Sequence, residues 1–248
     1  MKISIITVTW NCVTTIQKCL DSVGTQIHPE VEHIVIDGVS TDGTLEALKQ
    51  HRQQLTKLVS EPDQGIYHAL NKGLSRATGD VVGVMHSDDF FADAAVLSDV
   101  ASAFEDSSID AVYGDLEYVA KNDPHRVIRH WRSGEFSPAR LAWGWMPPHP
   151  ALFLRRQVVE QWGGYETRFR IAADYDAVLR YFGRGGIRPA YIPRVLVKMR
   201  VGGASNRSLR NIIRKSTEDY LALRRNRVGG FVALAWKNFS KIPQFFTK

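Results

Sequence analysis

The sequence contains few cysteines and no long apolar stretch. Its two cysteines, Cys12 and Cys19, stand seven residues apart and outside any Cys-x-x-Cys pattern, which argues against a disulfide framework or a cysteine zinc site. No apolar window reaches the roughly 20 residues that a bilayer-spanning helix needs. Polar residues also interrupt the first apolar segment, which makes it a poor signal peptide. We therefore expect a soluble, cytoplasmic protein with reduced thiols.

Two phosphate-binding signatures are missing as well. No GxGxxG follows the first apolar segment, and GxxxxGK[ST] occurs nowhere in the chain, so dinucleotide-binding and P-loop proteins lose their main support. The composition is that of an ordinary globular protein, since 44% of the 248 residues are hydrophobic and 23% are charged. A chain of this length can bury a substantial core in one domain with an appendage.

Charge is distributed unevenly along the chain. The net charge is +6, yet residues 207–248 alone carry ten Lys or Arg and only two acidic residues. Residues 1–206 are therefore close to neutral. We expect a main domain over residues 1–206 and a basic, amphipathic helical segment over residues 207–248.

Short apolar segments alternate with segments of helical spacing through the first half of the chain. Segments of this kind at residues 3–10, 32–37, 55–60 and 81–85 predict buried strands. Strands that alternate with helices at these intervals predict a parallel sheet with right-handed crossovers. The carboxyl ends of such strands open onto one edge, where ligands bind. The polar residues that follow the strands should therefore meet in one crevice: Asn11, Asp37, Asp63, Asp88 and Asp89.

The fourth of these strands ends in two adjacent carboxylates, Asp88 and Asp89. Neighbouring anions repel each other, and folding gains nothing obvious from that arrangement. A divalent cation would remove the cost, because hard oxygen ligands suit Mg²⁺ or Mn²⁺. A solvated turn or a helix N-cap is the structural alternative, since Asp also favours those positions.

An ordered set of motifs resembles glycosyltransferase family 2, and the set spans most of the chain. The motifs occupy residues 5–11, 36–44, 60–67, 69–73, 77–80, 86–89 and 173–176. The resemblance implies an inverting, nucleotide-sugar-dependent enzyme with a GT-A fold, in which helices flank a Rossmann-like, mostly parallel central sheet. It also implies a nucleotide-binding half at residues 1–110 and an acceptor-binding half at residues 111–206.

The resemblance assigns donor-binding roles to several polar residues. Asp37 and Asp63 match carboxylates that hydrogen-bond the base and ribose of the donor, a reasonable task for such acceptors. The alternative is that both only shape turns. The full set with an implied donor contact is Thr9, Asn11, Asp37, Asp63, Lys72 and Asp88.

Residues 86–88 stand where the family has its DxD motif, with His86 in place of the first Asp. This difference leaves Asp88 and Asp89 as the candidate ligands for a Mg²⁺ or Mn²⁺ that bridges the donor diphosphate. Because few protein carboxylates are available, we expect weak metal affinity in the absence of nucleotide. His86 is either a further ligand or a satisfied buried histidine, and burial statistics favour the second reading.

Asp174 matches the general base of the family. An inverting transfer needs one group that deprotonates the acceptor hydroxyl while it attacks the anomeric carbon. Capping of the helix that begins here is an alternative role, and the two roles are compatible. Trp143, Trp145 and His149 could contact an acceptor sugar, although aromatic residues in such a proline-rich loop are more often structural.

The basic C-terminal segment allows two interpretations. Arginines accompany an apolar stripe at helical spacing, and residues 231–239 are apolar and aromatic but too short to span a bilayer. This combination is typical of contact with an anionic membrane surface. Packing on the main domain with a solvated basic face explains it nearly as well. No recognition motif supports nucleic-acid binding. The stripe consists of Leu209, Ile212, Ile213, Tyr220 and Leu221.

Together these features predict a metal-assisted, inverting glycosyltransferase. Family habit makes UDP the expected nucleotide, and the acceptor is a hydroxyl of a polysaccharide or of a polyprenyl-linked saccharide. If the basic segment binds lipid, the enzyme should lie peripherally on the inner face of the cytoplasmic membrane. The alternative is a non-catalytic nucleotide-binding or membrane-associated scaffold protein with the same fold.

Overall fold

The computed structural model describes residues 1–202, 209–230 and 233–234. Within these ranges, nine strands form one sheet in the order β3-β2-β1-β4-β8-β6-β9-β5, and β7 pairs with β6 beside this row. The strands are β1 (Ile3–Thr9), β2 (Val31–Asp37), β3 (Lys57–Ser60), β4 (Val81–His86), β5 (Phe90–Phe91), β6 (Ala111–Ala120), β7 (Asp123–Trp131), β8 (Leu152–Arg155) and β9 (Pro189–Arg200).

The first four strands form the parallel half of the sheet, as their spacing predicts. β1 pairs with β2 on one side and β4 on the other, and β3 extends the sheet beyond β2. Every residue of β1 is buried, because helices cover both faces of a parallel sheet. The register places Thr9 beside Asp37, so the carboxyl ends of β1 and β2 lie together.

Four helices connect and cover these strands. They are α1 (Val13–Gly24), α2 (Thr44–Gln50), α3 (Ile66–Leu74) and α4 (Val96–Ala103). α1 turns Ile16, Cys19, Leu20 and Val23 into the core, which is the i, i+3, i+4, i+7 pattern of a helix with one apolar face. Both cysteines are free thiols, and Cys19 is buried.

The second half of the sheet mixes strand directions. β8 runs antiparallel to both β4 and β6, whereas β6 and β9 are parallel. The chain adds α5 (Pro138–Ala142), α6 (Arg156–Trp162) and α7 (Ala173–Val178), and α7 continues as a π-helical turn at Leu179–Arg184. Gly83 of β4 is required by close packing, because a Cβ there would lie 2.7 Å from the ring of Phe153 on β8.

The helix α8 (Leu209–Asn226) packs on α7 and on the π-helical turn. It buries Ala222 and Leu223 but leaves Ile213 and Leu221 exposed, so these two residues of the apolar stripe lie outside its buried face. Of the apolar segment at 231–239, only residues 233 and 234 lie within the described residues. None of the helices in the described ranges is both long and apolar enough to cross a bilayer.

Candidate functional site

The loops that follow β1 and β2 are bound to each other at the carboxyl edge of the sheet. The Asn11 backbone N–H donates to Ser40 Oγ at 2.9 Å, and Asn11 Oδ1 accepts from the Thr41 N–H at 2.9 Å. Asn11 adopts a φ of 50°, a left-handed conformation that Asn tolerates better than most residues. Asn11 therefore fixes the shape of this edge, and the donor contact expected of it stays a prediction.

Asp37 lies at the centre of this loop structure. Its carboxylate accepts from the Ser40 N–H at 3.1 Å, Ser40 Oγ at 2.5 Å, Ser60 Oγ at 2.6 Å and Thr9 Oγ1 at 3.4 Å. The residue is fully buried. A nucleotide that bound Asp37 would have to replace one of these donors. The donor-binding roles of Asp37 and Thr9 accordingly remain predictions.

Asp63 and Trp10 flank Gly38, one residue beyond Asp37. Asp63 Oδ1 accepts from the Gly65 N–H at 2.7 Å. A Cβ on Gly38 would lie 2.6 Å from Asp63 Oδ2 and 3.5 Å from Trp10 Cδ1. The Trp10 side chain is 70% exposed, which leaves its ring face open to a planar ligand. Trp10 is not among the site residues predicted from the sequence, although an aromatic residue directly after a buried strand is a usable signal.

Lys72 supports the turn before Asp63. Its ammonium donates to the Pro62 carbonyl at 2.7 Å and pairs with Glu61 at 3.0 Å. The side chain is largely buried in this position. Lys72 thus has protein partners among the described residues, and its contact with the donor remains a prediction.

Asp89 is a buried carboxylate without a hydrogen-bond partner among the described residues. It is 1% exposed, and neither of its side-chain oxygens is satisfied. Burial and the neighbouring charge of Asp88 raise its pKa well above the usual range. The backbone N–H and the positive charge of Arg200 act to lower this pKa. The N–H does not meet the geometry of a hydrogen bond to Asp89. An unsatisfied buried carboxylate is costly, so this position favours a cation or a proton.

Two histidines line the same region. The rings of His86 and His149 lie 5.7 Å apart between centroids, and His149 Nε2 is 2.6 Å from the Tyr165 hydroxyl. Burial lowers the pKa of His149 to about 4, against the opposing charge of Asp174. Burial also lowers the pKa of His86, while Asp88 and Asp174 both act to raise it. Both imidazoles are therefore neutral near pH 7.

Asp174, the second residue of α7, faces this histidine pair. Asp174 Oδ1 accepts from the Tyr175 N–H at 2.8 Å, and the Tyr67 hydroxyl lies 3.3 Å from the same oxygen. Because the charges of Asp88 and Asp174 both act on the pKa of His86, the fold places both carboxylates within electrostatic range of this imidazole. They lie 86 positions apart in the sequence.

The tryptophans expected near an acceptor have different environments. Trp145 donates its indole N–H to the Ser133 carbonyl at 2.8 Å, and its ring packs on Tyr113, Phe136 and Phe182. These contacts are sufficient to explain Trp145 as a structural residue. Trp143 is half exposed. Contact of Trp145 or His149 with an acceptor remains a prediction.

The metal-binding potential of this edge depends on few protein ligands. Among the described residues there is no group of three or more His, Cys, Asp or Glu side chains that could hold a metal ion. The unsatisfied oxygens of Asp89, next to the carboxylate of Asp88, nevertheless fit the hard-oxygen preference of Mg²⁺ and Mn²⁺. Further ligands would have to come from a bound diphosphate or from water.

A comparison with protein families matches residues 4–163 to the model for glycosyl transferase family 2. Among curated proteins, the chain is similar to a PGL/p-HBAD biosynthesis glycosyltransferase of Mycobacterium bovis. The two are 32% identical over 208 residues, which cover 82% of this chain and 78% of the relative.

Two solved structures with a similar fold contain a bound nucleotide sugar. Residues 1–349 of Staphylococcus aureus TarS with UDP-GlcNAc align with a TM-score of 0.67 at 18% identity, covering 92% of this chain and 66% of that one. In a longer TarS structure the chain spans 39% of the length. The mannosyltransferase PcManGT of Pyrobaculum calidifontis, solved with GDP-Man and Mn²⁺, aligns with a TM-score of 0.69 at 20% identity, covering 98% and 70%. At these identities the likeness concerns the fold.

Proposed function

Because the chain belongs to glycosyltransferase family 2 and has the GT-A fold, we propose that it transfers a sugar, with inversion, from a UDP-sugar to an acceptor hydroxyl. The expected acceptor is a polysaccharide or a lipid-linked oligosaccharide. One observation carries the proposal. The charges of Asp88 and Asp174, from opposite halves of the chain, both act on His86, and the nearby Asp89 has no side-chain hydrogen bond among the described residues.

Trp10, Gly38 and Asp63 are suited to hold the nucleoside. The exposed indole offers a flat surface for a base, and Gly38 keeps the space between it and Asp63 free of a side chain. Asp63 Oδ2 has no hydrogen-bond donor in the described part of the chain, so it can accept from a base N–H or a ribose hydroxyl. UDP is the proposed nucleotide, and TarS has been solved with UDP-GlcNAc.

Asp88 and Asp89 are the residues that would hold a divalent cation against the diphosphate. A bound Mg²⁺ or Mn²⁺ would neutralise the negative charge that develops on the departing nucleotide. The structural support is the pair of buried, unpartnered oxygens on Asp89. PcManGT, solved with Mn²⁺, provides a precedent in the same fold.

Asp174 is the proposed general base. It accepts the proton of the acceptor hydroxyl as that oxygen bonds to the anomeric carbon and the bond from that carbon to the diphosphate breaks. The Tyr67 hydroxyl and the Tyr175 N–H both approach Oδ1, which leaves Oδ2 for the acceptor. Because His86 and His149 are neutral, neither forms an ion pair that would compete for this carboxylate.

The direct test is Asp174→Asn. The amide cannot take up the proton, so turnover should fall by about 10³-fold or more, whereas the Kd for UDP should change less than twofold. Asp21→Asn is the matched control, because Asp21 is exposed on α1 and should leave both quantities unchanged. Unaltered turnover in Asp174→Asn would remove the base assignment. A wild-type protein that binds nucleotide sugars but never turns them over would instead support the scaffold alternative.

A donor screen by thermal shift should precede these kinetics. UDP- and GDP-sugars are compared with and without Mn²⁺, because a ligand that binds only the folded state raises its stability. We expect the largest rise in Tm with a UDP-sugar and Mn²⁺ together. A larger rise with GDP-sugars would overturn the proposed nucleotide.

Contact with an anionic membrane is proposed for the basic C-terminal segment. α8 leaves Ile213 and Leu221 exposed, and residues 207–248 carry ten Lys or Arg against two acidic residues. Such surfaces bind anionic lipid through both apolar and charge contacts. Deletion of residues 229–248 should reduce sedimentation with phosphatidylserine-containing vesicles but not with neutral ones. Equal sedimentation of both proteins would contradict this proposal.

A further inference from the structure

A buried glutamate of α8 contacts the backbone just before the helix that carries Asp174. Glu218 Oε2 accepts from three consecutive backbone N–H groups, those of Arg170 at 3.0 Å, Ile171 at 2.8 Å and Ala172 at 3.0 Å. Glu218 is only 8% exposed. It lies 46 to 48 residues further along the chain than the amides it binds.

These three amides lie directly ahead of α7, and the last of them belongs to its N-cap residue. The first N–H groups at a helix start have no carbonyl within the helix to bind, and a side chain at the N-cap usually satisfies one of them. Ala172 occupies that position before α7, and alanine has no hydrogen-bonding side chain. Glu218, which lies on a different helix, binds the amides of the residues that precede α7. It therefore fixes the backbone conformation that leads into α7.

Ile171 is held from both sides. Its N–H donates to Glu218, while its carbonyl accepts from the Tyr67 hydroxyl at 2.7 Å. The same hydroxyl lies 3.3 Å from Asp174 Oδ1. The approach to Asp174 is therefore fixed between α3, which carries Tyr67, and α8, which carries Glu218.

Two further contacts fix α8 relative to this segment. Asn226 Nδ2 donates to Asp176 Oδ1 at 2.8 Å, two residues beyond Asp174. Arg225 pairs with Glu166 at 2.5 Å, ahead of the amides that Glu218 binds. The helix thus contacts the chain on both sides of Asp174, and Glu218 makes the most numerous of these contacts.

We propose that Glu218 is a positioning residue for the general base, and that α8 is an integral part of the catalytic centre. The inference rests on the proposed function, because it assigns Glu218 a role through Asp174. Glu218 holds residues 170–172 so that Asp174 presents Oδ2 to the acceptor. Misplacement of a catalytic group by about 1 Å can cost on the order of 100-fold in rate.

The test compares Glu218→Ala, Glu218→Gln and Arg225→Ala in the full-length chain. Glutamine keeps one oxygen that can accept all three N–H groups, so it should preserve the geometry. Arg225→Ala removes a contact of α8 with the same segment but none of the three amide bonds. The readouts are backbone hydrogen exchange at residues 170–172, the Kd for UDP, and the rate of UDP release from UDP-GlcNAc with water as acceptor.

In Glu218→Ala we expect faster exchange at residues 170–172 and a loss of kcat of about 10- to 100-fold. The Kd for UDP and the KM for UDP-GlcNAc should stay within twofold of wild type. Glu218→Gln should recover most of the rate, and Arg225→Ala should stay within threefold. An unchanged kcat in Glu218→Ala, measured well below its Tm, would overturn the proposal, as would a parallel loss of UDP affinity. If Asp174→Asn kept wild-type turnover, the base assignment itself would fail, which is a separate outcome.

Discussion

Two buried carboxylates at opposite ends of the same sheet have opposite environments. Glu32, at the start of β2, accepts four hydrogen bonds, from Ser4 Oγ, Lys2 Nζ and both the N–H and the hydroxyl of Thr78. Burial alone would raise its pKa, but the hydrogen bonds outweigh burial and lower the pKa to about 2. Asp89, beyond the end of β4, has no such partner among the described residues, and its pKa is raised.

This difference distinguishes a carboxylate whose hydrogen bonds are completed within the fold from one that we propose is completed by a ligand. A buried charge that is fully hydrogen-bonded stabilises the native state, whereas an unsatisfied one costs stability unless a ligand completes it. At the amino end of the parallel strands, neighbouring residues satisfy Glu32 with hydrogen bonds. The carboxyl end keeps Asp89 unsatisfied and Trp10 exposed, at the edge where ligands of such sheets bind.

Of the variants that test this comparison, Asp89→Asn should change activity most. The substitution removes the charge proposed to hold the cation, so turnover should fall by about 100-fold or more. The free energy of unfolding should stay constant or increase at pH 7, since no described hydrogen bond is lost. Steady-state kinetics and urea denaturation measure the two effects. A loss of stability without a loss of rate would contradict the proposal, because it would show that Asp89 stabilises the fold and does not bind a cation.

Glu32→Gln should have the opposite profile. Loss of the charge weakens the bond to Lys2 and the hydrogen bonds around it, so the free energy of unfolding should fall by about 2 kcal/mol at pH 7. Turnover per folded molecule should not change. A large loss of turnover with unchanged stability would contradict the comparison.

The same variant should also alter the response to acid. The pKa of Glu32 is lowered from 4.5 to about 2 on folding. Its contribution to stability is therefore complete above pH 4.5 and disappears as the pH falls towards 2. Urea denaturation between pH 7 and pH 2 should show the difference between wild type and Glu32→Gln closing in that window. A difference that stays constant down to pH 2 would refute the role of this charge.

Asp37 differs from Asp89, because it lies at the same carboxyl edge of the sheet but its carboxylate is fully hydrogen-bonded. Ser60→Ala removes one of its donors and frees Asp37 Oδ2 in part. We expect a loss of about 1 kcal/mol in stability and a change in the Kd for UDP of threefold or less. A loss of UDP binding much greater than threefold would show that the Ser60 contact organises the donor site.

Much of the parallel half could be predicted from the sequence. Its strands are short apolar runs that end at polar residues, and the ends of β1, β2 and β4 lie within one residue of where those runs stop. Local composition is informative here because strands buried on both faces need nearly continuous apolar residues. The same logic located the carboxylates that follow them.

The contacts of Glu218 with the residues that precede Asp174 could not be predicted from local sequence. Glu218 lies in a helix with many charged residues, and only the tertiary fold brings it to residues 170–172. α8 also buries Glu218, Asp219 and Asn226, while Ile213 and Leu221 of the expected apolar stripe are exposed. Periodicity identifies the helix but not its buried face when polar contacts determine the packing. β5, with only two residues, is too short to leave a pattern.

Isothermal titration calorimetry of UDP into wild type and Asp88→Asn, with and without Mn²⁺, tests the central claim most directly. If Asp88 and Asp89 hold a cation against the diphosphate, Mn²⁺ should tighten UDP binding by about tenfold or more in wild type. The tightening should be nearly absent in Asp88→Asn, while metal-free affinities stay similar. Equal tightening by Mn²⁺ in both proteins would show that the cation does not bind at this edge.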